Sequence, residues 1–375
     1  MSLCIAGLGW VTSLGSGVPE VWERLMAGEE ASAERVSDSI GQKTYPVFRV
    51  PSTALRDLLP AHPRLRRASA ISRFAAAAGL AALHDSGSTF DDQGAKRITL
   101  VFAIANGGVI YTKRFYHDIV ASGAGAASPL LFPETVFNAA ASHLAAIIGV
   151  TGASYTLVGD GAVGLSAIRM AEDLLNNDEI DYCLVVGAEE ADWLLCDAYR
   201  RWRLLRSTPP IEPFHNPAKG TILSEGAGAV LLGRSGSIRI EKTHPGTYYG
   251  TRREAGERLR QILTELGAGR GTTVISGANG TFIDLAELYS ISEVVPSATV
   301  YTPKPSLGEG VGAGSIWQVI IGAQALRTHQ LPPLLHAPAD LPFQIPTSFA
   351  ASGDVIILSC GLNQQVAGLR LSKWT

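Results

Sequence analysis

At 375 residues with 46% apolar content, the chain can bury a large core and exceeds the usual size of one domain, so two fused halves are expected. The net charge of −3 gives no broad basic field, which argues against a general nucleic-acid binder. No run approaches the roughly eighteen consecutive apolar residues of a membrane span, and MSLCIAGLGW carries no basic leader or cleavage pattern, so a cytoplasmic protein without a membrane span is expected.

In chain order, SLCIAGLGWVT opens as a buried strand. Segment 30–66 is an insertion rich in proline, a candidate cap or interface element. The cluster RLRRASAISR, Arg64 to Arg73, is the one dense basic run; it fits either a solvated helix start or a docking patch for an acidic partner. SRFAAAAGLAALHDSG carries helical periodicity, ITLVFAIANG reads as a strand, and 111–136 is a second insertion. SYTLVG then runs through a glycine-rich corner into the amphipathic helix VGLSAIRMAEDLLNN, and DYCLVVGAEE is another buried strand.

The theme returns in the second half. TTVISGANGT parallels the opening strand and its glycine turn, while SIWQVIIGAQALRTHQ and DVIILSCGLN parallel the later helix and strand of the first half. Strand-helix alternation given twice predicts two similar α/β halves with mainly parallel buried sheets, divided as 1–235, with cap and interface insertions, and 236–375.

The four cysteines, Cys4, Cys183, Cys196 and Cys360, have no metal-ligand spacing, and reduced core thiols are expected. His62, His215, His244, His329 and His336 lie near loops or helix ends with no obvious Ser or Cys partner. No metal constellation is readable, and no cofactor is expected.

The stretches IAGLGWVTSLGSGVPEVWERLMAG, FPETVFNAAASHLAAIIGVTGASYTLVGDGAVGLSAI, EPFHNPAKGTILSEGAGAVLL and KPSLGEGVGAGSIWQ fall in the order and approximate spacing of the β-ketoacyl synthases, and the resemblance covers nearly the whole chain. It implies the thiolase-like αβαβα fold. It also implies a cysteine nucleophile at a strand-helix elbow and two histidines that donate to a thioester enolate. Here the resemblance places Gly161 at the nucleophile's position, Asn279 at the first histidine and Glu309 at the second. Lys304 keeps the family spacing before Glu309, and Glu287 matches the acidic residue that the family lysine pairs with, so a buried or half-buried Lys304–Glu287 ion pair is expected. The C-terminal gating loop, usually Phe-Gly-Phe-Gly-Gly, is CGLNQ at Cys360 to Gln364, without its aromatics.

This pattern resembles chain-length factors, inactive partners of active ketosynthases, and most closely those of aryl-polyene systems. The resemblance implies a heterodimer with an active β-ketoacyl synthase, an acyl carrier protein as further partner, and a role in shaping the partner's acyl tunnel. It sets the helix around Ala141 and His143 and the strand Ser154 to Val158 at the dimer axis, with Phe137 beside the tunnel, Ala141 at the interface, and His143 and Asp160 among the interface or tunnel residues. Two alternatives stay open. Asp160 and Glu309 could share acid and base roles in acyl transfer or hydrolysis, or Asp160 could bond backbone N–H groups at the elbow and Glu309 contact Lys304 or solvent. A homodimer that binds acyl groups is the other.

Overall fold

The computed structural model describes residues 3–56, 58–88, 92–346 and 353–374. Among the described residues the core is a twelve-stranded sheet. The main strands are β1 (Leu3–Thr12), β2 (Ile98–Ile104), β3 (Ser154–Val158), β4 (Tyr182–Glu189), β5 (Gly226–Gly233), β6 (Ile238–Thr243), β7 (Thr273–Ile275), β8 (Thr299–Tyr301), β9 (Val355–Cys360) and β10 (Gln365–Lys373). Their order across the sheet is β8-β7-β9-β10-β6-β1-β5-β4-β2-β3.

The order reads the same outward from the β1–β6 seam. On one side β1 pairs antiparallel with β5, β5 antiparallel with β4, and β4, β2 and β3 run parallel. On the other, β6 pairs antiparallel with β10, β10 antiparallel with β9, and β9, β7 and β8 run parallel. The halves are therefore similar, but the register of the repeat differs from the expected one. Thr273–Ile275 occupies the place of Ile98–Ile104, and the counterpart of the opening strand is Ile238–Thr243. That strand reads IRIEKT, half charged because only alternate residues are buried, which hides it from a search for continuous apolar runs.

Between the strand layers lie α4 (Val163–Leu174) and α8 (Val311–Thr328), matching the two expected helices. From Val311 to Leu326 every residue of α8 is buried, so the helix is apolar all round because it is enclosed. On the outer face α1 (Ala70–Asp85) packs on the sheet of the first half, α5 (Trp193–Arg201) packs on the strand Thr44–Phe48, and α6 (Arg252–Glu265) and α7 (Asp284–Val294) pack in the second half. Arg64, Arg66, Arg67 and Arg73 are exposed around the start of α1.

Segment 30–66 holds the strand pair Ala33–Ser37 and Thr44–Phe48 in a small separate sheet. Segment 111–136 falls on α2 (Val109–Ser122) and two short 3-10 turns. All four cysteines are free and buried. Among the described residues no helix is long and apolar enough to cross a membrane, and no cluster of His, Cys, Asp and Glu could hold a metal.

Candidate functional site

Three chain segments converge at the ends of the parallel strands. The first is the elbow between β3 and α4, residues 159–162. It carries Gly161 at its apex, so no side chain is available there to attack a substrate. Asp160 is buried, and its Oδ1 accepts from Ala162 N–H at 3.2 Å, the backbone-capping role open to it from sequence. Burial raises its carboxyl above the usual range, against the pull of backbone N–H groups from Ala162, Asn363 and Gln365; the Glu309 charge adds to the rise.

The second segment follows β7. Asn279 is buried and wholly engaged with its own surroundings. Its Oδ1 accepts from Thr281 N–H and Oγ1 at 3.2 and 2.7 Å, and its Nδ2 donates to Glu309 Oε2 at 2.7 Å. Asp284, unsuspected from sequence, organises this turn by accepting from Asn279, Gly280 and Phe214 N–H at 2.9, 2.8 and 3.0 Å. Full burial pushes its carboxyl up to about 6 despite those donors.

The third segment, Lys304 to Gly310, carries the one charged pair. Lys304 Nζ lies 2.7 Å from Glu309 Oε1, with both side chains almost fully buried. Glu309 Oε1 also accepts from Val311 N–H at 3.0 Å. The expected Lys304–Glu287 pair is not formed. Glu287 instead accepts from Ser276 Oγ and from Gly277 N–H, the latter at 3.1 Å, and burial pushes its carboxyl up to about 8. The physical reason is reach: the Glu309 carboxylate, five residues on, bonds the ammonium, while the Glu287 carboxylate is taken up by Ser276 and Gly277.

Together the three segments border a cavity of about 460 Å³. Its floor includes Gly161, Asn279, Lys304 and Glu309; its rim is aromatic, with Tyr199, Trp202 and Phe282. Trp202 is exposed and Arg252 sits over the Phe282 ring at 5.7 Å. These rim residues carry no sequence signal beyond ordinary aromatic content. Cys360 borders the cavity, and burial, reinforced by the charges of Glu287 and Asp160, holds its thiol well above the usual range and disfavours the thiolate. Glu189 was also missed: it accepts from Ala105 and Gly312 N–H, joining the end of β2 to the start of α8, with its carboxyl pushed up to about 7 by burial.

The residues assigned to an interface lie elsewhere. Strand β3 is an outer strand of the sheet, paired with β2, and Tyr155 and Val158 on it are exposed. Phe132, Val136 and Phe137 are also exposed, Phe137 at 52%, so Phe137 is not intrachain core. Ala141 is different. It sits on α3 (Ala139–Ile148) at 2% exposure, inside the core shared with α1, where a Cβ at Gly79 would come within 2.6 Å of Leu144. Its small size serves packing within the chain, which corrects its assignment to a subunit interface. His143 Nε2 bonds Glu134 Oε1, and Glu134 also accepts from Ser69 N–H at 3.0 Å. Burial alone would raise the Glu134 carboxyl, but His143 and Ser69 outweigh it and hold it below the usual range.

With this geometry in place, comparison with known proteins settles the family. The profile of the Beta-ketoacyl synthase, N-terminal domain, matches residues 2–236. The chain belongs to the β-ketoacyl synthase family. It is similar to Nodulation protein E of Rhizobium leguminosarum bv. trifolii, 26% identical over 235 residues, a match spanning 61% of this chain and 57% of that relative. A longer match is to 3-oxoacyl-[acyl-carrier-protein] synthase 2 of Coxiella burnetii, 22% identical over 365 residues, covering 88% of this chain and 87% of that protein. Among solved structures, the ishigamide ketosynthase/chain length factor superposes with a TM-score of 0.84 at 20% identity, covering all of this chain and 99% of that one. The ketosynthase ApeO in complex with its chain length factor ApeC from Xenorhabdus doucetiae gives a TM-score of 0.84 at 18% identity, with coverage of 100% and 98%. These likenesses establish the thiolase-like fold.

Proposed function

We propose that this β-ketoacyl synthase family member is a non-catalytic subunit of the chain-length-factor kind. It pairs with an active β-ketoacyl synthase, receives no acyl group itself, and shapes the partner's acyl tunnel in a polyene, polyketide or fatty-acid-like pathway; the resemblance is closest to the aryl-polyene type. The observation that carries the proposal is the closed network at the site. Gly161 offers no nucleophile, and the residues at the two histidine positions spend their hydrogen bonds on each other and on Lys304. Donors already paired in this way cannot meet the charge that develops on a thioester carbonyl. Glu309 would also repel a malonyl carboxylate.

The exposed apolar residues Tyr155 and Val158 on an outer strand, and Phe132 and Phe137 on the segment before α3, support pairing with a second subunit. An acyl carrier protein is proposed as the further partner; among the similar structures is a type II acyl-carrier protein complexed with its own ketosynthase. The changed-chemistry alternative is weakened because Asp160 and Glu309 are both committed to internal hydrogen bonds. The cavity of about 460 Å³ favours one second reading, a homodimer that binds an acyl group without reacting. The test is co-expression with a candidate ketosynthase followed by size exclusion, and incubation of each species with acyl- and malonyl-carrier protein. A heterodimer that condenses while the isolated chain does not supports the proposal; condensation by the isolated chain refutes it.

A further inference from the structure

The segment after β9, Gly361 to Gln365, forms one lip of the cavity, with Gly361, Leu362 and Asn363 on its wall. It is tied down at several points. Asp160 Oδ2 accepts from Asn363 N–H at 2.9 Å and from Gln365 N–H at 3.4 Å, across some two hundred residues of sequence. The other oxygen of the same carboxylate accepts from Ala162 N–H on the elbow. Ser359 Oγ donates to the carbonyl of Gly161 at 2.9 Å, Gln365 Nε2 to Ser166 Oγ at 2.9 Å, and Tyr249 OH to the carbonyl of Gly361 at 2.5 Å. Between the two amides that Asp160 holds, Gln364 stands at φ +74°, a left-handed conformation that non-glycine residues keep only where their surroundings impose it. The fit is also tight: a Cβ on Gly361 would fall 2.0 Å from Asp160 Oδ2.

From this geometry we infer that Asp160 is a latch, a positioning residue that fastens the 361–365 loop to the elbow and keeps the lip of the vacated site closed. A single buried carboxylate, satisfied by three backbone N–H groups on two segments, resists separation because opening would strip it of two partners at once. The lip is then a fixed wall, and the cavity admits only what fits the closed outline. The inference rests on these contacts and does not depend on pairing with a ketosynthase.

Cys360 is the natural reporter, since it precedes the loop, borders the cavity and is buried. In the full-length chain, N-ethylmaleimide labelling followed by peptide mass spectrometry gives the rates at Cys360 and at Cys183, which is buried in β4. Labelling through local opening reports how often the loop lifts. Asp160→Ala should speed Cys360 labelling on the order of tenfold or more while leaving Cys183 unchanged, and hydrogen exchange at the amides of Asn363 and Gln365 should rise with it. Gly361→Ala pushes the loop off the carboxylate from the other side and should give the same selective gain, which covers a fold failure of the first variant. Cys360 rates equal to wild type in both variants would overturn the latch. So would a parallel rise of Cys360 and Cys183 in both, because the loop would then open only with the whole fold.

Discussion

Lys304 and Glu309 form a buried ion pair at 2.7 Å on the floor of the cavity that Gly161 and Asn279 also line. The pair is local in sequence and nearly sealed from water, so breaking it from one side leaves a charge without compensation. Glu309→Gln should therefore destabilise the chain by about 3–5 kcal/mol, read as a shift of the urea midpoint. Adding Lys304→Met to that variant should recover part of the loss, because the stranded ammonium is gone, while the one amide oxygen of glutamine keeps only one of the two donors, Asn279 Nδ2 or Val311 N–H, that the carboxylate accepts from. A double variant no more stable than Glu309→Gln would show that the pair is not the source of the loss.

Glu287 predicts an unusual pH dependence. Its carboxyl is pushed up to about 8 by burial from an ordinary 4.5, so across that window the folded chain holds a proton that the unfolded chain has released. The stability present below the unfolded value is then lost as the pH rises through the folded one. Glu189, at about 7, and Asp284, at about 6, act in the same direction. Stability should fall from pH 6 to pH 8, and each such group contributes a slope of about 1.4 kcal/mol per pH unit within its own window. Urea titrations at pH 6, 7 and 8 should show Glu287→Gln less steep than wild type by about one such contribution. Equal slopes would mean that Glu287 stays ionised.

Gly161→Cys should fit the elbow without disturbing it. A Cβ there would lie 3.7 Å from Gly361 Cα and 4.0 Å from Ser359 Oγ, ordinary contact distances, so the melting temperature should change little. The restored thiol would still lack an imidazole and would face the carboxylates of Asp160 and Glu309, which disfavour a thiolate. Intact-mass analysis after exposure to an acyl carrier protein thioester should find no acyl adduct. Formation of the adduct would show that a thiol at position 161 is sufficient for acylation in these surroundings.

The fold was legible in the sequence wherever strands were continuous apolar runs, as in ITLVFAI and VIILSC, and wherever a dense motif fixed the corner at Gly161. Contacts between distant loops were not. Whether Lys304 turns to Glu287 or Glu309 is decided by which carboxylate lies within reach, and sequence spacing alone allows both. Ala141 illustrates a second limit. Small residues allow close approach to any neighbour, and nothing in the local pattern distinguishes α1 of the same chain from a helix of another. The rim residues Trp202 and Phe282 and the loop latched by Asp160 escaped for a similar reason, since each depends on segments brought together from far apart.

The interface prediction must be built on the residues that are exposed. Ala141→Arg would put a charge into the chain's own core and should unfold it, so it cannot probe pairing. Val158 is 53% exposed near the end of β3, and Val158→Asp should leave the isolated chain folded, by circular dichroism and melting temperature, while abolishing co-elution with a ketosynthase. Phe137 is 52% exposed with its ring against Gly107, and is not part of the chain's own core. Phe137→Ala should therefore preserve assembly and free space in the partner's tunnel, lengthening the product measured by mass spectrometry. An unchanged product distribution from an intact heterodimer would remove Phe137 from the tunnel. A Val158→Asp chain that still pairs normally would move the interface away from β3.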